Sequence, residues 1–367
     1  MNTSSHVSCE VRGQTGFITL NRPGALNALS LPMIRDLMAC LITWRSDDRV
    51  QVVAFRGMGK TGPFGVFCAG GDIRFFHQAV LAGNPSLEDF FTEEYTLNHL
   101  VHTYPKPTIA FMDGIVMGGG MGIAQGCTHR LVTERTKMAM PETGIGLFPD
   151  VGGGYFLGRC PGAVGEWLAL TGETLGAGDA IAFGLADHGI GSASLPDIWE
   201  ALGAAGLDLQ SALNDLFAPH LVAVQAMATG FRADIDAFFS LGSVSTIVRA
   251  LEGNGSPWAA QSAARLRLNS PLMLHVTLAQ IRRARGMSLA DELRMERGMI
   301  RHCFNPLHLG RNAASSETTE GIRALAVDKD RAPKWNPVRI EDVTPDRVAP
   351  FFETPWPAFA HPLRGLE

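Results

Sequence analysis

The placement of its glycines constrains this chain more than any other feature. Glycine accounts for 41 of 367 residues, about 11% against a usual share near 7%. The surplus has no period and forms no long tract, which excludes collagen and a glycine-rich linker. Eleven of the 41 fall between Gly114 and Gly154. Glycine is needed where the backbone takes positive φ or must come close to a partner. Two clusters stand out. Phe67-Cys68-Ala69-Gly70-Gly71-Asp72-Ile73 runs into the helical Arg74-Phe75-Phe76, and Met112-Asp113-Gly114-Ile115-Val116-Met117-Gly118-Gly119-Gly120-Met121-Gly122 opens a small-residue helix. Each is a strand-to-helix turn where a backbone N–H can face a ligand, helped by the unsatisfied donors of a helix N-terminus. Two such amides aimed at one point make an oxyanion hole. Tight turns and close helix packing would use the same glycines.

Composition narrows the field. The chain carries 31 Lys+Arg against 36 Asp+Glu, a net charge of −5, with 18% charged and 46% hydrophobic residues. Mild acidity with no basic patch argues against a nucleic-acid binder, and the apolar content argues against disorder. The longest stretches free of Asp, Glu, Lys and Arg, among them the glycine-filled Gly114 to His129, reach 16 residues and are too short to span a bilayer. The N-terminus has no basic and apolar signal pattern and no Arg-rich amphipathic stretch. Six cysteines (Cys9, Cys40, Cys68, Cys127, Cys160, Cys303) are scattered without a CxxC. They read as thiols in a reducing, cytoplasmic setting, where the sequons at Asn2 and Asn254 carry no meaning.

The first half alternates short β-rich and helical runs. Phe17–Leu20, Val52–Phe55, Thr108–Met112 and Leu131–Thr133 read as strands. Ser30 reads as the cap of a helix with apolar Met33, Ile34, Leu37, Met38, Leu41 and Ile42 at helical spacing. From about Leu195 the pattern becomes helical, with segments 201–217, 219–231, 233–239, 257–268, 271–285 and 288–303. A tail rich in proline (Pro337, Pro345, Pro350, Pro355, Pro357, Pro362) follows. The expectation is an α/β core over 1–195 and a helical region with an irregular tail over 196–367.

Familiar signatures fail. Gly59-Lys60-Thr61 lacks the upstream glycine of a P-loop, and there is no GxSxG, HExxH, metal-spaced Cys/His pair or GxGxxG after a strand. Two acids do stand out. Glu142 and Asp150 are the acids of the apolar, glycine-rich stretch from Ala139 to Tyr155. A carboxylate in such surroundings is costly unless hydrogen-bonded or catalytic, although a solvated loop acid or a helix cap would also fit. Glu94, in Phe90-Phe91-Thr92-Glu93-Glu94-Tyr95, reads from local sequence as one charge on an exposed helix face.

Taken together, Leu20-Asn21-Arg22-Pro23 with Ala25-Leu26-Asn27-Ala28-Leu29, the Ala69-Gly70-Gly71-Asp72-Ile73 loop and the Gly118-Gly119-Gly120 turn resemble the crotonase (enoyl-CoA hydratase/isomerase) superfamily. The resemblance implies a spiral of ββα units that binds acyl-coenzyme A. The thioester oxygen would lie between the amides of Gly71 and Gly119, with Ala69, Gly70, Asp72 and Ile73 lining the adenine and pantetheine side. Arg22, Lys60 and Arg74 are candidates for the coenzyme A phosphates, with a solvated surface role as the alternative.

Within that superfamily, hydratases typically carry one glutamate just after the triple glycine and another in the later Pro-Glu segment. Here the first position is Gly122 and the second is Glu142, while Asp150 stands where hydratases tend to have glycine. That exchange resembles the 3-hydroxyisobutyryl-CoA hydrolases, thioesterases of valine catabolism. So do Glu93-Glu94-Tyr95-x-Leu97-Asn98 and the tail Glu320-Gly321-Ile322-Arg323-Ala324 with Asp328-Lys329-Asp330-Arg331. The likeness implies Glu142 as nucleophile or general base, Asp150 as a binder of the 3-hydroxyl or a proton relay, and Glu94 as a substrate contact. It implies no cofactor beyond the coenzyme A of the substrate, no nucleic-acid or membrane partner, and a homo-oligomer of the kind crotonases often form. The alternatives are an enoyl-CoA hydratase or isomerase working with Glu142 alone, and a non-catalytic acyl-CoA binder.

Overall fold

The computed structural model describes residues 6–204 and 209–367. They fall into two compact units, and neither is a continuous stretch. The first takes its described residues from Met1–Gly71, Thr96–Ala139 and Thr174–Thr229; the second takes them from Asp72–Tyr95, Met140–Glu173 and Gly230–Glu367.

The first unit holds the sheets. Strands β1 (Val7–Arg12), β2 (Thr15–Leu20), β3 (Val52–Gly59), β4 (Gly62–Pro63), β5 (Val66–Cys68), β6 (Thr108–Met112), β7 (Ile115–Met117), β8 (His129–Val132), β9 (Lys137–Ala139) and β10 (His188–Gly189) build two sheets. The larger has the order β1-β2-β3-β6-β8-β10, with β4 hairpinned on β3, and the smaller has the order β5-β7-β9. Only the β1–β2 and β3–β4 pairs are antiparallel; β2–β3, β3–β6, β6–β8 and β8–β10 are parallel. Each turn of the chain lays one strand in the large sheet and the next in the small one: β3 then β5, β6 then β7, β8 then β9. The pairings Val53–Thr108 and Ile109–His129 in one sheet and Val66–Ile115 and Ile115–Lys137 in the other advance in step. This is the expected spiral of ββα units.

Parallel strands covered on both faces read as continuous apolar runs, and Val52-Val53-Ala54-Phe55 and Ile109-Ala110-Phe111-Met112 are buried throughout. Phe17, Phe64 and Phe111 pack around Trp199 at centroid distances of 4.6, 6.0 and 5.3 Å.

The helix expected over 201–217 is split. Helices Leu195–Leu202 and Leu209–Phe217 are present, and the part of that expectation over 205–208 lies outside the described residues. Over 219–231 short 3-10 turns, Ala218–His220 and Ala228–Phe231, flank extended chain. Here Leu221 bridges Ile190 and the Val222 amide donates to the Gly189 carbonyl at 2.9 Å, so sheet pairing overrides helical periodicity. The expectation of six free thiols is also corrected. Cys9 on β1 and Cys40 on the helix Leu31–Arg45 form a disulfide, while Cys68, Cys127, Cys160 and Cys303 are buried free thiols.

The second unit is helical. Helix Pro271–Ala284 is buried on nearly every face. An aromatic cluster fixes the N-terminal part of the helix Ser86–His102. Phe76 lies 4.7 Å from Phe90 and 4.9 Å from Phe91, and Phe91 lies 5.5 Å from Phe304. The tail after Pro337, expected to be irregular, carries short 3-10 and helical turns.

Candidate active site

In the sheet unit the two glycine turns meet. Gly118 has φ +48° and ψ −123°, a backbone state that needs glycine, and directly precedes the helix Gly119–Gly126. A Cβ on Gly120 would stand 2.4 Å from the Cys68 carbonyl oxygen, so the helix can start here only without a side chain. A Cβ on Gly70 would reach the Met117 oxygen at 3.4 Å and the Gly119 nitrogen at 3.5 Å, which places the Ala69–Gly71 loop on the Gly118–Gly119 turn. Gly119 is the first residue of its helix, where N–H groups have no intrahelical acceptor.

The Asn27 motif sets this loop. The Asn27 side chain donates to the carbonyls of Met58 and Val66 at 3.0 Å and accepts from the Arg22 amide at 2.8 Å. The Ala69 and Leu29 amides pair with the Leu26 and Gly70 carbonyls at 3.0 and 2.8 Å. Of the basic candidates, Arg22 donates to the Ala28 carbonyl at 3.1 Å, while Lys60 and Arg74 are exposed.

In the helical unit, Glu94, Glu142 and Asp150 come together. Asp72 begins this unit and caps the helix Ile73–Ala82 by accepting from the Phe75 amide at 3.2 Å. Ile73 is the first, half-buried residue of that helix. Glu94 is 2% exposed, and Glu142 and Asp150 are 6% exposed. Glu94 therefore does not lie on an exposed helix face. Glu142 opens the 3-10 turn Glu142–Ile145. That turn is braced by the Ser270 amide on the Thr143 carbonyl (3.0 Å), by Thr318 Oγ1 on the Gly146 carbonyl (2.7 Å), and by Gly321, where a Cβ would meet the Ile145 oxygen at 2.3 Å. The Glu320-Gly321-Ile322 tail motif is thus the backing of Glu142.

The electrostatics are unusual for a protein interior. Among the described residues no Lys, Arg or His forms an ion pair with Glu94, Glu142 or Asp150. Glu94 Oε1 and Glu142 Oε2 have no hydrogen-bond partner. The Tyr95 hydroxyl donates to Asp150 Oδ2 at 2.8 Å. Burial pushes the Glu94 and Glu142 carboxyls well above the usual range, and repulsion from Asp150 adds to it. Asp150 is raised to about 6 by burial, against the pull of the Tyr95 hydrogen bond. The Tyr95 hydroxyl is itself raised, first by burial and then by Asp150. The cluster can accept a proton near neutral pH and would turn away a second unpartnered anion.

Three further polar side chains surround Asp150 and were not singled out by sequence. Glu296 accepts from the Gly152 and Gly154 amides at 2.9 and 3.2 Å. Gln280 Nε2 donates to Glu296 Oε1 at 3.0 Å and to the Pro149 carbonyl at 2.7 Å. Glu292, fully buried, lies against Glu296. A signal existed: Glu296 fills a slot in the apolar stripe Leu289, Leu293, Ile300, Cys303 at helical spacing. No group of three or more His, Cys, Asp or Glu side chains among the described residues is arranged to hold a metal ion.

A spiral of ββα units with glycine-built turns defines a crotonase-type protein, and the comparisons agree. The family model described as enoyl-CoA hydratase/isomerase matches residues 15–352, and the chain belongs to that family. It is 40% identical over 360 residues to the mitochondrial 3-hydroxyisobutyryl-CoA hydrolase of Danio rerio, covering 95% of this chain and 90% of that one. It is 38% identical to the relative so named in Rattus norvegicus, covering 96% and 89%. Among solved structures it resembles an enoyl-CoA hydratase from Rhodobacter sphaeroides (TM-score 0.85, 35% identity, covering 96% and 98%). It also resembles a carnitinyl-CoA dehydratase from Mycobacterium thermoresistibile (TM-score 0.86, 34% identity, covering 99% and 100%). The expectation of a cytoplasmic protein is corrected by the relatives. Those from Danio rerio, Gallus gallus, Xenopus tropicalis and Bos taurus are all named mitochondrial. No helix among the described residues is long and apolar enough to cross a membrane.

Proposed function

We propose that this chain hydrolyses the thioester of 3-hydroxyisobutyryl-CoA, releasing the hydroxy acid and coenzyme A. The observation that carries this reading is the buried, cation-free set of Glu142, Asp150 and Glu94, with Asp150 tied to the Tyr95 hydroxyl. The names of the relatives at 35–40% identity support the same substrate. Glu142, deprotonated, either attacks the carbonyl carbon to give an anhydride that water then opens, or takes a proton from the attacking water. In both routes the C–S bond breaks, the acid gains one oxygen, from water directly or by exchange through Glu142, and a proton ends on the thiol. The Gly71 and Gly119 amides take the charge that develops on the carbonyl oxygen, where one donor is worth about 3–4 kcal/mol.

Asp150 receives the 3-hydroxyl or passes the proton, and Glu94 helps to orient the polar acyl end. A site built to hydrogen-bond a hydroxyl rejects acyl groups that lack one. The reaction as written needs no cofactor beyond the coenzyme A of the substrate. Valine breakdown, which generates such branched hydroxyacyl thioesters, is the process this activity would serve.

The test is release of free thiol across short acyl-CoAs, run beside loss of enoyl absorbance from crotonyl-CoA. Rapid thiol release from 3-hydroxyisobutyryl-CoA, and far less from isobutyryl-CoA, is expected. Hydration of crotonyl-CoA without thiol release would replace this reading with that of a hydratase.

A further inference from the structure

The Asp150 loop is held from behind by side chains that the hydrolytic steps do not use. Val151 and Gly152 both take left-handed backbone conformations, φ +58° and +86°. Only glycine adopts that state cheaply, so Val151 is strained. A loop of this shape stays in place only if something outside it fixes its amides. Glu296 does so from the helix Leu289–Phe304, with one carboxylate oxygen on the Gly152 amide and the other on the Gly154 amide. Gln280, from the helix Pro271–Ala284, ties Glu296 to the Pro149 carbonyl, on the other side of Asp150. The loop is therefore gripped at residues 149, 152 and 154, with Asp150 between them.

We propose that Glu296 is a positioning residue for the hydrolysis, setting the Asp150 carboxyl through the Gly152 and Gly154 amides, with Glu292 as the partner that lets it remain an acceptor. The inference rests on the proposed role of Asp150. Glu296 receives three N–H donors, which fits an ionised carboxylate. The Glu292 oxygens accept no hydrogen bond of ordinary geometry, and the Glu292 carboxyl contacts that of Glu296. Two buried carboxyls in contact share one proton; it belongs on Glu292, which then donates to Glu296. The groups facing this pair are Asp150 and the Tyr95 hydroxyl, together with the neutral Gln280 amide. Arg297, next along the helix, is engaged by Glu88 and by Thr92 Oγ1 at 3.0 Å. The pair then carries one negative charge beside Asp150 rather than two. Burial raises both carboxyls above the usual range, so the pair keeps a proton, and the three N–H donors on Glu296 decide which partner carries it.

The experiment compares Glu296→Gln, Glu292→Gln and Glu292→Leu with wild type, by turnover of 3-hydroxyisobutyryl-CoA and by infrared titration of buried carboxyls without substrate. Glu296→Gln should lower kcat by up to about 10²-fold, the scale of an ångström-level misplacement, with KM changed far less. It should also move the Asp150 titration, assigned by its loss in Asp150→Asn, to lower pH, because a neighbouring anion is gone. Glu292→Gln can still donate to Glu296 and should keep kcat within about threefold of wild type while losing one protonated-carboxyl band. Glu292→Leu removes the donor and should fall with Glu296→Gln. Wild-type kcat in Glu296→Gln, or an Asp150 titration that does not move, overturns the inference. Absence of thiol release in wild type overturns the functional reading instead, and the infrared outcome still decides the positioning role.

Discussion

Asp113 in the sheet unit and the Glu94–Glu142–Asp150 cluster in the helical unit bury carboxylates in opposite ways. The Asp113 side chain is fully buried and completely engaged. It accepts from Arg135 Nε at 2.9 Å, from Thr133 Oγ1 at 2.6 Å and from the Gly65 amide at 2.5 Å. Within the helical unit Glu166 is treated like Asp113, with Arg285 at 2.8 Å on both oxygens. Among the described residues, no cation pairs with Glu94, Glu142 or Asp150. Asp113 and Glu166 receive arginines while Glu94, Glu142 and Asp150 do not, an arrangement that suits three acids held ready to exchange protons. The contrast lies in the partners, since all five acids are equally out of water.

The largest expected effect tests the unpaired set. Glu142→Gln should reduce thiol release by about 10³-fold, within the range of a lost general base and larger if Glu142 is the nucleophile. The fold should remain intact, because no cation is left stranded. Turnover within a few-fold of wild type would remove Glu142 from the chemistry. The paired acid should respond the other way. Asp113→Ala leaves Arg135 and the Gly65 amide without their acceptor and should cost about 3 kcal/mol in urea unfolding, as broken buried pairs do. A cost below about 1 kcal/mol would mean that Asp113 is not the brace it resembles.

The pH dependence of stability separates the two kinds more finely. Asp150 titrates at about 6 in the folded chain against an ordinary value of 3.8. The folded state keeps this proton where the unfolded chain has lost it. The stabilisation is complete below about pH 4 and is lost as pH rises through about 6, which by neutral pH amounts to roughly 3 kcal/mol. Asp150→Asn should therefore unfold at higher urea than wild type at pH 8 and gain little at pH 4. An equal gain at both values would show that the substitution acts through packing and not through charge. Glu94 and Glu142, raised in the same direction, keep part of the slope in the variant.

Local sequence carried much of this architecture. Val52–Phe55 and Thr108–Met112 are strands because β-branched and aromatic runs between turn formers have few other uses, and helix Pro257–Leu268 has a serine cap followed by proline. Glu142 and Asp150 were legible because two acids in apolar, glycine-rich sequence need a reason. Glu94 was not legible locally. Its burial depends on how the helix Ser86–His102 is seated, and Phe76 and Phe304, which pack on Phe90 and Phe91 of that helix, come from other stretches of chain. Glu296 and Gln280 were hidden for a related reason, because a polar residue in an apolar stripe does not reveal the loop amides it will meet. The expected helix over 219–231 failed where an edge pairing with Gly189 and Ile190, invisible to periodicity, took the backbone instead.

The smallest effect is the most discriminating, because it asks what the Tyr95 hydroxyl does for Asp150. The Tyr95 hydroxyl lies 2.8 Å from Asp150 Oδ2 and favours the ionised carboxylate. Tyr95→Phe removes that donor while keeping the ring that packs on Phe91 at 6.2 Å, so the aromatic cluster should hold. Asp150 should then keep its proton to higher pH, and the acid limb of the pH–rate profile should move upward from about 6. The loss of turnover at pH 8, where Asp150 is still ionised, should be only a few-fold, while at pH 6 it should be several times larger. A limb that moves downward, or a loss that is the same at both pH values, would show that Tyr95 acts by packing. Asp150 would then owe its titration to burial alone.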